Sequence, residues 1–139
     1  MRNFKKLHIW SKAMDLTIDI YNQTKPFPKE ERFALTNQIR KSSVSIPSNI
    51  SEGCGRRTIP DQAHFMDIAI GSSFELETQI LLAKKLGYLS DEEADKTLNE
   101  ITFIQVALTN YVSKLRNQKM AYSAAGVILI LIAAYLGGS

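Results

Sequence analysis

The chain has 139 residues, of which 45% are hydrophobic and 22% are charged, with a formal net charge of +3 and one cysteine, Cys54. This length suits one domain whose core needs neither a disulfide nor a structural metal ion. A lone cysteine excludes an internal disulfide and a multi-cysteine zinc site, and it fits a reducing cytoplasm.

The charge is unevenly distributed along the chain. Residues 1–57 hold eleven Lys or Arg against five Asp or Glu, whereas residues 58–118 hold five against nine. A basic half is the minimum electrostatic requirement for binding a polyanion, but it is equally typical of an ordinary solvated surface, and both interpretations stay open. Charged residues interrupt the first twelve positions, so no signal peptide is expected.

The first predicted helix covers residues 4–24. Apolar residues recur there at steps of three and four, which is typical of one buried helix face. They are Leu7, Trp10, Met14, Ile18 and Tyr21. His8 lies beside this stripe and His64 lies in the third helix, and neither has a second ligand at metal-binding spacing, so both are expected at the surface or its boundary.

Two prolines, Pro26 and Pro28, precede a second helix that is expected to begin near Lys29. Its apolar side is formed by Phe33, Leu35, Ile39 and Ile46. Pro47 removes one backbone donor, so a kink is predicted. Small polar residues surround this proline, which indicates a close contact with another helix. They are Ser42, Ser43, Ser45, Ser48, Asn49 and Ser51, and the helix is expected to stop at Gly53 and Gly55.

The third helix is expected to start at a cap formed by Thr58 or the next residue, with Pro60 in its first turn, and to end at Gly87. Its small central segment, residues 69–73 with Gly71 in the middle, is predicted to pack against the serine-rich half of the second helix. The inward stripe is predicted to be Phe65, Ala69, Ser72, Ser73, Leu76, Ile80 and Ala83.

Ser90 and Glu93 form a capping box that marks the start of the fourth helix. Its core stripe follows bundle spacing and consists of Ala94, Leu98, Ile101, Gln105, Leu108, Val112 and Leu115. A second apolar set makes the middle of this helix apolar almost all round, which favours contact with another subunit. The predicted interface residues are Phe103, Ile104, Ala107 and Tyr111.

Residues 120–139 contain no charged side chain. As a helix, residues 120–136 would extend roughly 25 Å, the short limit for crossing a bilayer core. Lys114, Arg116 and Lys119 would form a cytoplasmic positive flank. A membrane-inserted helix that continues the fourth helix is favoured; the alternatives are an engineered fusion, since Gly137-Gly138-Ser139 is typical of a linker, or an extension buried within an oligomer.

The sequence offers no catalytic motif, and neither a cofactor nor a metal ion is expected. Carboxylates and arginines could converge where the second and third helices meet, but such charges more often pair with one another than perform acid-base chemistry. The group consists of Glu52, Glu75, Glu77, Arg40 and Arg56. Ferritin-like iron binding is excluded because neither histidine has a glutamate three residues before it.

From residue 3 to residue 117 the chain resembles the 23S rRNA intervening-sequence proteins. The resemblance is carried by Phe27-Pro28, Glu31, Leu35, Gln38-Ile39-Arg40, Ser45-Ile46-Pro47-Ser48-Asn49-Ile50, Glu52-Gly53, Arg56, Ala69 to Ser72 and Glu75-Leu76-Glu77. It implies an up-down four-helix bundle, a homopentamer and binding of ribosomal or other structured RNA. It does not reach the apolar tail.

We therefore expect an all-α, up-down antiparallel four-helix bundle in residues 1–118, with a kinked second helix and an apolar tail in residues 119–139. Two non-enzymatic functions remain open: an oligomeric RNA-binding module, or a ring-shaped scaffold that presents a membrane-inserting helix. RNA contacts are expected at Lys5, Lys6, Lys12, Arg40, Lys41, Arg56 and Arg57. Structural roles are expected for Ser45, Pro47, Asn49, Glu52, Gly53, Gly71 and Glu75.

Overall fold

The computed structural model describes residues 3–137, and the described part of the chain is helical without strands. A 3₁₀ turn, Phe4–Lys6, precedes α1, His8–Gln23, and a second 3₁₀ turn, Lys29–Glu31, precedes α2, Leu35–Gly55. The last two helices are α3, Ile59–Lys85, and α4, Asp91–Gly137. Consecutive helices pack as antiparallel neighbours, and α1 also contacts α4, so the predicted four-helix bundle is confirmed.

The bundle core is aliphatic and lies between residues 13 and 115. Its largest fully buried side chains include Leu16, Ile39, Leu76 and Leu108, at least one from each helix. Residues 116–136 of α4 add no buried side chain. The fold is therefore complete before the apolar tail begins.

The ends of α3 and α4 confirm the predicted caps. Thr58 Oγ1 accepts a hydrogen bond from Asp61 N at the start of α3. At its end, Gly87 has φ +76°, and Tyr88 N donates to Ala83 O at 2.9 Å, a geometry that favours glycine. Glu93 N donates to Ser90 Oγ at 3.1 Å and Ser90 N donates to Glu93 Oε2 at 2.9 Å, which is the expected capping box.

The predicted buried face of α1 is wrong in its second half. Met14, Ile18 and Tyr21 are 37%, 56% and 42% exposed. The buried side chains are Ala13, Leu16 and Ile20, while Leu7 and Trp10 are half-buried against the core. The helix carries two apolar stripes with the same spacing, so periodicity alone could not select between them.

The start of α2 also differs from the prediction. The 3₁₀ turn at Lys29 does not continue into the helix because Ala34 adopts φ −116° and ψ −113°. Glu31 Oε2 then accepts a hydrogen bond from Leu35 N at 3.1 Å and supplies the cap that Ala34 lacks. Phe33, which was expected in the core, lies in this connection and is 85% exposed.

Candidate functional site

The serine-rich half of α2 packs against α3 as predicted. Ser45 Oγ and Ser72 Oγ are 2.8 Å apart across the interface. Asn49 Nδ2 donates to Ser45 O and Ser45 Oγ at 2.8 and 3.0 Å, so it holds the serine that makes this contact. Pro47 is buried, and α2 continues through it to Gly55. Ser45 and Asn49 thus connect the proline-containing part of α2 to α3.

The two glycines singled out from the sequence differ in their surroundings. A Cβ at Gly53 would lie 3.1 Å from Gln62 O and 3.2 Å from Phe65 Cβ, so α3 approaches its backbone closely. Gly71 is exposed, and a Cβ there would meet nothing within 4 Å. The expectation that Gly71 permits a close helix contact is therefore wrong, because the small side chains that face α2 are the serines beside it.

The predicted meeting of carboxylates and arginines between α2 and α3 is not a single cluster. Each of these side chains has a different partner. Glu52 was expected near α3, but its described ion pair is with Arg56, one turn later at the C-terminal cap of its own helix. Glu77 Oε2 accepts from Gln105 on α4 at 2.7 Å. Arg40 lies 4.7 Å above the Tyr21 ring. Glu75 is exposed and accepts a hydrogen bond from Gln79 Nε2 at 3.3 Å.

The pKa shifts in the part of the chain that the structure describes arise mainly from hydrogen bonds that its side chains form with other side chains or with the backbone. No group of three or more His, Cys, Asp or Glu in residues 3–137 could hold a metal ion. A hydrogen bond from the Ser90 backbone holds the pKa of Glu93 below its usual range, and a hydrogen bond to Asp95 raises the pKa of Lys84. A hydrogen bond to Glu31 likewise raises the pKa of Tyr88. Each shift follows from a bond that holds the fold together.

The predicted RNA-binding residues lie in three separate places. Lys12 borders a groove of about 340 Å³ between α1 and α4, beside Asp15, Asp19 and Glu100. These carboxylates oppose a polyanion at that position. Arg40 and Lys41 line a second depression, next to Tyr21 on α1. The remaining four residues, Lys5, Lys6, Arg56 and Arg57, are exposed at one end of the bundle.

That end is assembled from three segments of the chain. Phe4, beside Lys5, shares a depression with Glu52, Gly55 and Arg56 at the end of α2. Gln62 Nε2 donates to Arg56 O at 3.0 Å, which joins α2 to the start of α3. Arg116 Nη2 lies 2.7 Å from Asp67 Oδ2, and Lys119 borders the first turn of α3. We call these segments, residues 3–6, 51–67 and 113–119, the tail-proximal end.

The tail-proximal end is also where α4 leaves the bundle. The helix continues without a break from Asp91 to Gly137, as predicted. It contains an 18-residue window apolar enough to span a membrane, and no residue of that window is buried. Val127 to Ile132 are 49–69% exposed. In the sequence, Lys114, Arg116 and Lys119 are recognisable only as the flank of this tail; their proximity to the α2 and α3 termini depends on the folded bundle.

The predicted oligomer interface needs one correction. Ile104 is 1% exposed and belongs to the core of its own chain, because it faces α1. Phe103 and Val106 on the same helix are 47% and 56% exposed. Ala107 and Tyr111 are half-buried. An apolar surface that includes Phe103 thus remains outside the core.

The fold of this chain is shared with known proteins. The family model described as 23S rRNA-intervening sequence protein matches residues 5–110. A solved structure from Bacteroides thetaiotaomicron, described as a protein of unknown function from the S23 ribosomal protein family, aligns with a TM-score of 0.70 and 23% identity. The alignment covers 75% of this chain and 97% of that chain, which shows a shared fold. No curated protein sequence matched. With about three quarters of its residues matched by the family model, this chain belongs to the family of 23S rRNA-intervening sequence proteins.

Proposed function

We propose that this chain is a non-enzymatic, homo-oligomeric helical bundle that is tethered to a membrane by the C-terminal part of α4. The observation that carries the proposal is that no residue of the apolar window is buried, whereas the core residues of α4 all lie before it, up to Leu115. An exposed apolar surface of this length in water is unfavourable and favours aggregation. Lipid is the environment that removes it from water.

Lipid fits the tail better than burial between copies of the chain. Six consecutive residues, 127–132, are apolar and exposed, and at 3.6 residues per turn they cover the whole circumference of the helix. In a ring of parallel tails, each helix would bury its inner face and leave its outer face in water. A bilayer contacts every side, and an uninterrupted helix satisfies the backbone hydrogen bonds inside it.

Homo-oligomerisation is supported by the exposed apolar surface of α4 around Phe103 and Val106. A pentamer is the state that resemblance to the family implies. Five copies would place five tails side by side, and each added tail increases the affinity of the assembly for a membrane through multivalency. The bundle would thus act as a scaffold held at a lipid surface.

RNA binding is the second candidate function, favoured by the family to which the chain belongs and by four exposed cations at one end of the bundle. Contacts of this kind would be mostly with phosphate and therefore salt-sensitive and weakly sequence-specific. Arg56→Glu with Arg57→Glu should abolish them. Absence of structured ribosomal RNA retention by the purified protein, even at low salt, would contradict this function.

The tether is tested by adding the full chain to neutral phosphatidylcholine vesicles and floating them on a density gradient. Insertion predicts flotation that resists alkaline carbonate and protection of the tail from protease. A chain ending at Gln118 should stay at the bottom of the gradient. A full chain that remains soluble without detergent, keeps its oligomeric state and does not float would contradict the tether.

A further inference from the structure

The tail-proximal end differs in charge from the opposite end of the bundle. Residues 3–6, 51–67 and 113–119 contain seven Lys or Arg and three Asp or Glu. The opposite end, residues 21–36 and 80–96, contains six of each. The positive surplus is therefore concentrated at the end from which the apolar helix emerges.

The three acidic residues of the tail-proximal end are already bound within the protein. Glu52 pairs with Arg56, and Asp67 pairs with Arg116. Asp61 accepts a hydrogen bond from the Thr58 hydroxyl at 2.6 Å. The cations outside these two ion pairs are all exposed. They are Lys5, Lys6, Arg57, Lys114 and Lys119.

We infer that the tail-proximal end binds the anionic phospholipid headgroups of the leaflet into which α4 inserts. The inference rests on the proposed tether, because an inserted tail brings this end of the bundle to the lipid surface. Lys119 directly precedes the charge-free segment, and α4 is unbroken there, so its cations Lys114, Arg116 and Lys119 lie within about two helical turns of that segment.

Phosphate headgroups suit these residues chemically. Lysine and arginine side chains extend several ångströms from the backbone and carry their charge at the tip, so cations from α4, from the α2–α3 connection and from the first 3₁₀ turn can extend toward a shared lipid surface. Clusters of four to eight basic residues next to a membrane segment are typical of binding to anionic lipids. The neutral opposite end would point away from the membrane.

This placement assigns a lipid partner to three of the seven cations that the sequence suggested for RNA. Lys5, Lys6 and Arg57 would face the bilayer, whereas Lys12 lies in the acidic groove between α1 and α4. A bundle docked in this way would cover the surface that RNA would need. Lipid and RNA are therefore distinguishable by competition as well as by mutation.

The test compares the full chain on vesicles of phosphatidylcholine alone and of phosphatidylcholine with phosphatidylserine. The variant carries Lys5→Gln, Lys6→Gln, Arg57→Gln and Lys119→Gln. The control carries Lys25→Gln, Lys29→Gln, Arg32→Gln and Lys85→Gln, which removes the same charge from the opposite end. At low salt, phosphatidylserine should strengthen the binding of the wild type and of the control by roughly tenfold or more. It should have little effect on the binding of the variant.

Each arm of the experiment has a distinct outcome. Carbonate-resistant insertion of every protein into both kinds of vesicle, with a phosphatidylserine preference that only the variant loses, would support the inference. Equal preference in variant and control, or none in the wild type, would overturn it while leaving the tether intact. Failure to insert into either vesicle would overturn the tether itself. Binding of structured RNA that the variant loses while retaining its lipid preference would assign these cations to RNA instead.

Discussion

Thr17 on α1 and Ser43 on α2 are joined at the position where Pro47 interrupts the hydrogen bonding of its helix. Thr17 Oγ1 lies 2.9 Å from Ser43 O, four residues before the proline. Proline has no N–H to donate to that carbonyl, so the threonine hydroxyl supplies the missing donor from the neighbouring helix. The same hydroxyl lies 2.8 Å from Ala13 O, so its proton is shared between two acceptors.

Thr17→Val should therefore lower the free energy of unfolding by about 1–2 kcal/mol, because it leaves a carbonyl without a donor inside a helix contact. Pro47→Ala restores a backbone N–H. In that background, Thr17→Val should lower the free energy of unfolding by clearly less. Urea unfolding of the four proteins of this double-mutant cycle measures the coupling. An equal loss of unfolding free energy in both backgrounds would mean that the two residues act independently.

Local chemistry explains why some of these features could be predicted from the sequence. The caps at Thr58, Gly87 and Ser90 involve residues within five positions of one another, so their identity was sufficient. Most of the core stripes of α3 and α4 were also predicted, although Met66 is buried where Phe65 was expected and Ile104 joins the buried side of α4. In α1 two stripes compete, and its orientation depends on contacts such as that between Thr17 and Ser43, which are 26 residues apart.

The candidate site also depends on contacts between distant parts of the chain. The sequence identified the basic residues of the first 57 positions and the flank of the tail as separate features. Their meeting at one end depends on α4 passing the start of α3, as in the contact between Arg116 and Asp67, 49 residues apart. The burial of Ile104 likewise depends on how α4 is rotated against α1.

Gly53→Ala should destabilise the bundle although alanine favours helices. The new methyl group would lie 3.1 Å from Gln62 O, a backbone atom that cannot move without shifting α3. Overpacking should outweigh the gain in helix propensity and give a net loss of about 1–2 kcal/mol. Gly71→Ala is the matched control and should stabilise the protein by up to about 1 kcal/mol, since its methyl group meets no neighbour. Thermal unfolding compares the stability of the two variants. A stabilising Gly53→Ala would show that α3 can shift away from the added methyl group at little cost in free energy.

The capping box of α4 should make stability depend on pH in the acidic range. Hydrogen bonds from the Ser90 backbone N–H and hydroxyl lower the pKa of Glu93 from its ordinary value of 4.5. Because the pKa is lower in the folded state, this contribution is fully present above about pH 4.5 and is lost as the pH falls through the folded value. Glu93→Gln keeps an acceptor but does not titrate, so the difference in melting temperature between wild type and variant should shrink below pH 4.5. A difference that stays constant down to pH 2 would contradict the charged cap.

Phe103 provides the sharpest test of self-association because its ring is 47% exposed and lies beside the groove between α1 and α4. If a second copy covers this ring, Phe103→Glu places an unpaired charge in the interface, and the dissociation constant should rise roughly tenfold or more. Sedimentation of a chain ending at Gln118 removes any contribution of the tails.

Thr102→Glu is the control for this substitution, since it adds the same charge at the adjacent, polar and exposed position of α4. Thr102 Oγ1 bonds only to Leu98 O within its own helix among the described contacts, so the change should affect neither the core nor an apolar contact. Both variants should keep the helical content of the wild type, because neither position belongs to the buried core. A wild type that sediments as a monomer at tens of micromolar would refute self-association through the bundle. An oligomer that Phe103→Glu leaves intact would place the interface on another surface, and the exposed Phe74, Leu81 and Leu82 of α3 would be the next positions to substitute.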